Sequence, residues 1–208
     1  LGSLDIPIAE STVITWVIMA VVLLLSIFLT RNLKVRDISK RQLAAETIVT
    51  KLESFVEDMT GEEGKRYVPY LCTVIVYIAM ANLIGLFGMK PPTKDLNVTA
   101  ALAIMSIILI QYAGIHAKGT KGWLKSFTQP MAIVTPINIL ELFIKPLSLC
   151  MRLFGNVLGA FVIMEMLKIL IPVAIPVPFS FYFDIFDGLI QAYVFVFLTS
   201  LYIKEAVE

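Results

Sequence analysis

Residues 11–30 read STVITWVIMAVVLLLSIFLT, twenty consecutive residues without a charged side chain. A bilayer hydrocarbon core of about 30 Å needs roughly 20 apolar residues at the rise of an α-helix, so this run predicts a membrane-crossing helix. No small-residue cleavage pattern follows it, which favours a retained span over a signal peptide. Two further uncharged runs meet the same length requirement, twenty-three residues at 67–89 and twenty-two at 96–117.

The composition excludes several classes of protein. The 208 residues are 58% hydrophobic and 16% charged, against about half and about a quarter in soluble domains. A formal net charge of +1 leaves no excess of basic residues for nucleic acid. Cys72 and Cys150 are too few for a disulfide scaffold or a cysteine zinc site, so we expect small buried side chains there. His116 is the sole histidine, and we expect neither a metal site nor a cofactor.

The charges between the uncharged runs predict the topology. Residues 31–66 carry eight basic and seven acidic side chains, which indicates a polar, partly helical loop. The segment 118–125 carries three lysines, whereas only Lys90 and Lys94 separate the second and third runs, and no Lys or Arg precedes the first. By the positive-inside rule the N-terminus lies outside, and the loops 31–66 and 118–125 are cytoplasmic.

The second half of the chain is apolar but interrupted by charges. Even low estimates assign about 2.5–3.5 kcal/mol to one Arg, Lys or Asp at the centre of a membrane helix, so such side chains usually face a protein interior or a water-filled cavity. We predict two polar helices, 130–171 and 180–204, that form a hairpin with its bend outside and the C-terminus in the cytoplasm. Prolines 172, 176 and 178 are expected to break the chain at the bend. The charged residues are Glu141, Lys145, Arg152, Glu165, Lys168, Asp184 and Asp187.

The fold class follows from these patterns. The sequence predicts an all-α integral membrane protein that forms a single membrane domain. About five helices cross the membrane, a polar and partly helical cytoplasmic loop follows the first, and the last two helices form the charged hairpin.

A polar stripe runs along the first helix of the hairpin. At about 100° per residue, five polar side chains and a glycine fall within an arc of about 80°, and the opposite faces are apolar. The stripe therefore faces something other than lipid. It consists of Glu141, Lys145, Ser148, Arg152, Asn156 and Gly159.

Arg152 is the least ordinary residue of the stripe. Glu141 and Lys145 have a plainer interpretation as an i,i+4 ion pair, and the lysine could also reach the cytoplasmic interface. Arg152 has no acid within four residues, and it is the sole charge between Pro146 and Met164. An isolated permanent cation there needs a carboxylate from another helix or from another protein.

The topology sorts the polar groups by depth. Asp184 and Gln191 are seven residues apart and share a face of the last helix. Glu165, Asp184 and Asp187 lie near the external bend, Arg152 and Gln191 lie deeper, and the first two residues of the stripe lie toward the cytoplasm. The chain thus offers two polar approaches separated by one fixed positive charge.

Three blocks of this sequence resemble subunit a of F-type ATP synthases. The first reads TPINILE at 135–141, KPLSL at 145–149 and RLFGN at 152–156, and the second reads LIQAYVF at 189–195. The third reads NLIGLF at 82–87, with Pro92, Thr93 and the residues 96–99. The blocks cover most of residues 68–204 in family order, whereas the N-terminal third resembles the family mainly in layout.

The resemblance implies a non-catalytic stator subunit that faces a rotating ring of c subunits. It implies two offset half-channels for H+ or, in some members, Na+, with the peripheral-stalk b subunits, the remaining ATP synthase subunits and membrane lipid as further partners. Arg152 matches the essential arginine, and Gln191 matches the glutamine near it; Asn156, Ser148, Glu141 and Lys145 are expected to support translocation. A bacterial plasma membrane is the expected location.

Elementary chemistry supplies a role for the matched arginine. A guanidinium keeps its proton under all working conditions, and at close range it favours the ionised form of an opposing carboxylate. A ring carboxylate is therefore expected to release its ion beside Arg152. The same charge repels a cation that would cross directly, so flux must follow the ring.

The chain departs from the family pattern at one position. Many members carry an acid nine residues after the arginine, where this chain has Phe161. Glu165 is the next acid, and Asp184 occupies a position that varies between His and acids in the family. We expect these two acids to share the external half-channel with Asp187. Plainer alternatives are an i,i+3 pair between Glu165 and Lys168 and a solvated helix start at Asp187.

Two other classes of function remain as alternatives. A stand-alone ion-coupled transporter or channel would also place charges near the midplane, although such proteins commonly show paired repeats and this chain shows none. A structural membrane anchor would gain nothing from the polar stripe around Arg152.

Overall fold

A computed structural model describes residues 10–31, 39–126, 135–170 and 176–207. These residues form helices and connecting turns without strands, which confirms the all-α fold class. The α-helices are α1 Glu10–Thr30, α2 Lys40–Thr60, α3 Val68–Leu83, α4 Leu96–Ser126, α5 Thr135–Leu170, α6 Pro176–Ser180 and α7 Gly188–Val207. Short 3-10 helices lie at Glu62–Tyr67, Ile84–Phe87 and Pro92–Lys94, and a π-helix at Phe181–Asp187 joins α6 to α7.

Five helical segments are long and apolar enough to cross a membrane. They correspond to α1, to α3 with its flanking 3-10 helices, to α4, to α5, and to α7 with the π-helix before it. The polar loop after α1 contains α2, whose first turn is capped by the Ser39 hydroxyl accepting from the backbone N–H of Gln42. Residues 32–38 of that loop lie outside the described residues.

Two details of the helix ends were not part of the sequence expectation. α4 is interrupted by a kink at Gly119 (φ 70°, ψ 160°), and a second helical segment follows it to Ser126. Pro176 begins α6 instead of breaking the chain, because a proline at the first position of a helix lacks only an N–H that would have no partner there. Pro172, and the residues 130–134 and 171 of the predicted hairpin, lie outside the described residues.

The interior is formed mainly by α3, α4 and α7, with α5 packed on α4 and α7. In a membrane this packing is held by close van der Waals contact and not by exclusion of water. α1 lies at the edge and contributes only a few side chains to the interior. Fully buried apolar side chains include Leu71, Ile78, Leu149, Leu153, Val196 and Ile203.

Polar contacts mark the two ends of the bundle. At one end the Lys90 ammonium lies 2.9 Å from the Glu10 carboxylate, and Ser11 donates a hydrogen bond to Asp95, so the start of α1 is fixed to the turn between α3 and α4. The last residues of α5 and the start of α6 lie at the same end, because they share a cavity with this turn. The opposite end carries α2, the end of α4 and the C-terminal turn of α7.

Candidate functional site

α5 is one continuous helix through the whole polar stripe. Pro146 lies inside it and removes one backbone donor, yet the helix continues to Leu170. Residues at helical spacing therefore share a face, as the sequence predicts. The buried face of α5 consists of Leu149, Cys150, Leu153 and Val157.

Arg152 lies on the open side of α5. Its side chain is exposed, and within the described residues it makes no hydrogen bond and no ion pair. Asn156, one turn later, is also exposed, and a Cβ added at Gly155 or Gly159 would meet nothing within 4 Å. A permanent cation on an open apolar face is costly in a bilayer, so it requires an acidic partner from outside this part of the chain.

Gln191 lies in the interior of the bundle. It is 6% exposed and shares the buried face of α7 with Ala192 and Phe195. α5 and α7 pack against each other, but no hydrogen bond joins Gln191 to Arg152 among the described residues. The two residues therefore occupy different environments, one in the interior and one on the open face.

An ion-pair cluster joins α5 to α7 at the opposite end from the hairpin bend. The Lys145 ammonium lies 2.8 Å from the Glu205 carboxylate and 3.5 Å from that of Glu141, and 5.3 Å from the centre of the Tyr202 ring. The i,i+4 ion pair between Glu141 and Lys145, the plainer interpretation of these two residues, is therefore present in the structure. Glu205 is sixty residues away from Lys145, and helical spacing gives no signal for it. Ser148, one turn from Lys145, is half-buried.

A cavity of about 590 Å³ lies at the hairpin end of the bundle. It brings together the three acids that the sequence assigns to one polar approach, Glu165, Asp184 and Asp187. Lys90 and Lys168 also line it, so its charges partly balance. Phe161, the residue that departs from the family pattern, forms part of the same wall.

The three acids differ in their contacts. Asp184 accepts a hydrogen bond of 2.6 Å from the Ser180 hydroxyl, and a Cβ added at Gly85 would lie 2.5 Å from its Oδ1 atom. An alanine at position 85 would therefore require the Asp184 carboxylate to shift. Glu165 lies 3.1 Å from Lys168, so the plainer i,i+3 pairing is present. Asp187 makes no hydrogen bond or ion pair within the part of the chain that the structure describes.

Asp184 and Asp187 lie on the π-helix Phe181–Asp187. A π-helix inserts an extra residue per turn and is frequent at functional sites. It changes the helical phase before α7, so the seven-residue spacing of Asp184 and Gln191 does not place them on one regular α-helical face. The carboxylate lines the cavity, whereas the amide lies in the bundle interior.

A buried polar network beside the cavity was not foreseen from the sequence. The Asn82 amide donates to the backbone carbonyl of Gly188 at 3.0 Å and accepts from the Thr93 hydroxyl at 2.7 Å. Asn82 is 3% exposed and Thr93 is 0% exposed. Both residues belong to the third block of the family resemblance, and this membership was the one feature of the sequence that could have drawn attention to them.

Lys94 forms the other contact that sequence reasoning missed. Its ammonium lies 4.1 Å from the centre of the Phe161 ring, within the range of a cation–π interaction. The position at which this chain departs from the pattern of the resemblance is thus occupied by a ring that a lysine covers.

The cavity and Arg152 lie on different sides of α5. Phe161 follows Arg152 by nine residues, which is about 180° around a helix. The cavity acids and the arginine are therefore separated by the width of α5. The acids can exchange protons or attract cations, but no group of three or more His, Cys, Asp or Glu side chains in the described ranges could hold a metal ion.

Known proteins resemble this chain over almost its full length. The family described as "ATP synthase A chain" matches residues 12–204. "ATP synthase subunit a" of Moorella thermoacetica is 39% identical over 98% of this chain and 93% of its own length. "ATP synthase subunit a 2" of a Bradyrhizobium species is 35% identical over 97% and 90%. "ATP synthase subunit a, sodium ion specific" of Propionigenium modestum is 30% identical over 99% and 76%.

Proposed function

The chain belongs to the ATP synthase A chain family, and we propose that it is the stator that loads and unloads ions on a rotating ring of c subunits. Family membership makes it a membrane subunit of ATP synthase that takes part in ion translocation and is not itself the catalyst. The proposal adds the two half-channels, the role of Arg152 and the identity of the partner.

The observation that carries the proposal is the environment of Arg152. Its guanidinium lies on the open face of α5, and the described residues offer it no carboxylate. A ring subunit with an acid at the same membrane depth would supply the missing counter-charge. Asn156 and the open space at Gly155 and Gly159 leave room for such a subunit to approach closely.

Arg152 acts on the ring carboxylate through its charge. The guanidinium does not release its proton, so it favours the ionised carboxylate and displaces the bound ion as each ring subunit passes. It also repels any cation that would move directly from one half-channel to the other. Ions therefore cross only on the ring. Gln191 supports this step from the bundle interior.

The two half-channels approach Arg152 from opposite ends. The cavity lined by Glu165, Asp184 and Asp187 is the external half-channel. The cytoplasmic half-channel opens beside the Glu141 and Lys145 end of α5, with Ser148 along the polar stripe before Arg152. Asn156 lies one turn beyond the arginine and supports translocation there. This assignment is supported by the positions of the acids on one side of Arg152 and of the lysine cluster on the other.

Orientation and location follow the lysine distribution. The N-terminus lies outside and the C-terminus lies in the cytoplasm, because the lysine-rich segment 118–125 belongs inside. The bacterial relatives support a bacterial plasma membrane. α1 contributes little to the interior, so its outer side is available to lipid and to the peripheral-stalk b subunits.

The test is ATP-driven ion pumping in inverted vesicles that contain the assembled complex. Arg152→Ala should abolish pumping while the ring still copurifies with the chain, because the charge is lost and no fold contact is broken. Met151→Ala, at an exposed neighbouring position without charge, should pump as the parent does.

One relative is sodium ion specific, so the pumping activity of the parent is also measured with and without sodium. Dependence on sodium would identify Na+ as the transported ion, and independence would identify H+. Retained pumping in the assembled Arg152→Ala complex would contradict the proposed role of the arginine.

A further inference from the structure

We propose that residues 118–126, at the end of α4, bind anionic phospholipid headgroups at the membrane surface. α4 runs for 24 residues from Leu96 to Gly119, or about 36 Å at the helical rise. That length slightly exceeds the hydrocarbon core of a bilayer. Gly119 therefore falls at the boundary between acyl chains and headgroups.

The chain turns back at this boundary. Gly119 has a positive φ of 70°, a conformation that favours glycine, and it interrupts the helix. After the turn, the Trp123 indole donates a hydrogen bond of 3.0 Å to the Gln111 amide oxygen. A Cβ added at Gly114 would lie 3.3 Å from the Trp123 ring. The turned segment is thus fixed against the last turns of the spanning helix.

The turned segment is amphipathic in the manner of an interfacial anchor. Leu124 is 66% exposed and has no cover from the described part of the chain. Trp123 places an indole at the depth where tryptophan is enriched in membrane proteins. Lys121 and Lys125 are exposed, and Lys118 is half-buried. Lysine stems can lie along the apolar boundary while their ammonium groups reach the headgroups.

The charges of residues 118–126 indicate which ligand binds there. Residues 118–126 read KGTKGWLKS, with three lysines and no acid, and no acid lies between Asp95 and Glu141. Clustered lysines beside a membrane helix attract anionic lipids, whereas lysine is depleted in protein interfaces. The combination of an exposed leucine and three lysines therefore fits an anionic lipid better than a protein partner.

The chain contains its own reporter for this site. It has two tryptophans, so Trp16→Phe leaves Trp123 as the sole tryptophan, which can be excited selectively at wavelengths that tyrosine does not absorb. We would reconstitute this variant of the full chain into vesicles of phosphatidylcholine with a minor share of phosphatidylglycerol. In one preparation the phosphatidylglycerol carries brominated acyl chains, and in the other the phosphatidylcholine does. Quenching, corrected for the lipid fractions, measures which lipid lies beside Trp123.

We expect the anionic lipid to quench at least about twofold more strongly than its bulk fraction predicts. Replacing Lys118, Lys121 and Lys125 together by Gln should remove this preference and leave quenching by phosphatidylcholine. Replacing the same three residues by Arg should keep the preference, since the charge is kept. The Trp123→Phe variant, with Trp16 at the opposite end as reporter, should show no preference.

Three results would overturn the proposal. Quenching in proportion to bulk composition would mean that the segment does not select anionic lipid. A preference that survives the triple Gln replacement, or that Trp16 shares, would mean that these lysines are not its cause. No quenching by either lipid would mean that Trp123 is covered by protein. The test uses the chain alone and is independent of the stator mechanism.

Discussion

Replacing Asn82 by Ala should destabilise the bundle beside the cavity at the hairpin end. The Asn82 side chain links α3 to the Gly188 carbonyl at the start of α7 and to the Thr93 hydroxyl in the turn before α4. Both hydrogen bonds lie out of contact with solvent. Alanine keeps the Cβ atom and removes both bonds, so the change isolates the polar contribution.

The expected loss is about 1–3 kcal/mol. Hydrogen bonds between helices in membrane proteins contribute about 0.6 kcal/mol on average and up to about 1.7 kcal/mol, and two are lost. The Thr93 hydroxyl and the Gly188 carbonyl are left buried without this partner, which places the loss in the upper part of the range. The free energy corresponds to about a 5- to 150-fold change in the unfolding equilibrium.

The assay is reversible unfolding of the purified chain in mixed micelles by titration with sodium dodecyl sulfate, followed by helical circular dichroism. Thr93→Val should lose about half as much as Asn82→Ala, and the double variant less than the sum, because both single changes remove one shared bond. Asn156→Ala, an exposed amide, should change stability by less than about 0.5 kcal/mol. Full additivity, or an Asn82→Ala loss no larger than the Asn156→Ala loss, would refute the network.

Three other outcomes follow from the site. Gln191→Leu should reduce ATP-driven pumping less than Arg152→Ala, and an equal or larger reduction would reverse the ranking of the two residues. A cysteine at position 184, in place of Asp184, should react with a membrane-impermeant thiol reagent from the external side, whereas inertness would remove this position from the channel. Ser11 donates a hydrogen bond to Asp95 and lowers the pKa of the Asp95 carboxyl. The contact is therefore present at neutral pH and is lost as pH falls through that lowered pKa, which releases the start of α1. Asp95→Asn should abolish this acid-dependent release, measured by protease access to the N-terminus.

Uncharged runs predicted the spanning helices but not where the helices end. The length of such a run reflects the thickness of the hydrocarbon core, and helical structure can continue beyond the run into the headgroup region. After the kink at Gly119, a second helical segment of α4 accordingly extends beyond the uncharged run to Ser126. The start of α6 was also not predicted, because Pro176 was expected to break the chain. A proline is compatible with the first turn of a helix, and α6 begins at this residue. The π-helix at Phe181–Asp187 has no simple sequence signature and was not predicted.

The polar stripe was predictable because all its members lie on one helix. Spacing alone places Glu141, Lys145 and Arg152 on one face of α5, and Pro146 does not interrupt the helix or its periodicity. Contacts between distant elements could not be derived this way. The pairing of Lys145 with Glu205 depends on how two helices pack.

The acids that line the cavity at the hairpin end were predictable from the sequence, but the contacts that build the cavity were not. The topology placed Glu165, Asp184 and Asp187 near one bend, and the structure brings them to one cavity. Spacing could not predict the close approach of Gly85 to Asp184, a residue 99 positions away in the chain. Position 161 carries a phenylalanine covered by a lysine, and only the packed structure reveals that contact.

The most direct measurement compares ion flux through the purified chain alone with flux through the chain reconstituted with its ring. Both preparations are placed in vesicles under an imposed diffusion potential, and uptake of H+ and Na+ is followed. If ions cross only on ring carboxylates that pass Arg152, the chain alone conducts no more than protein-free vesicles, and flux requires the ring. Ion flux through the chain alone would contradict this account and identify a stand-alone channel or transporter.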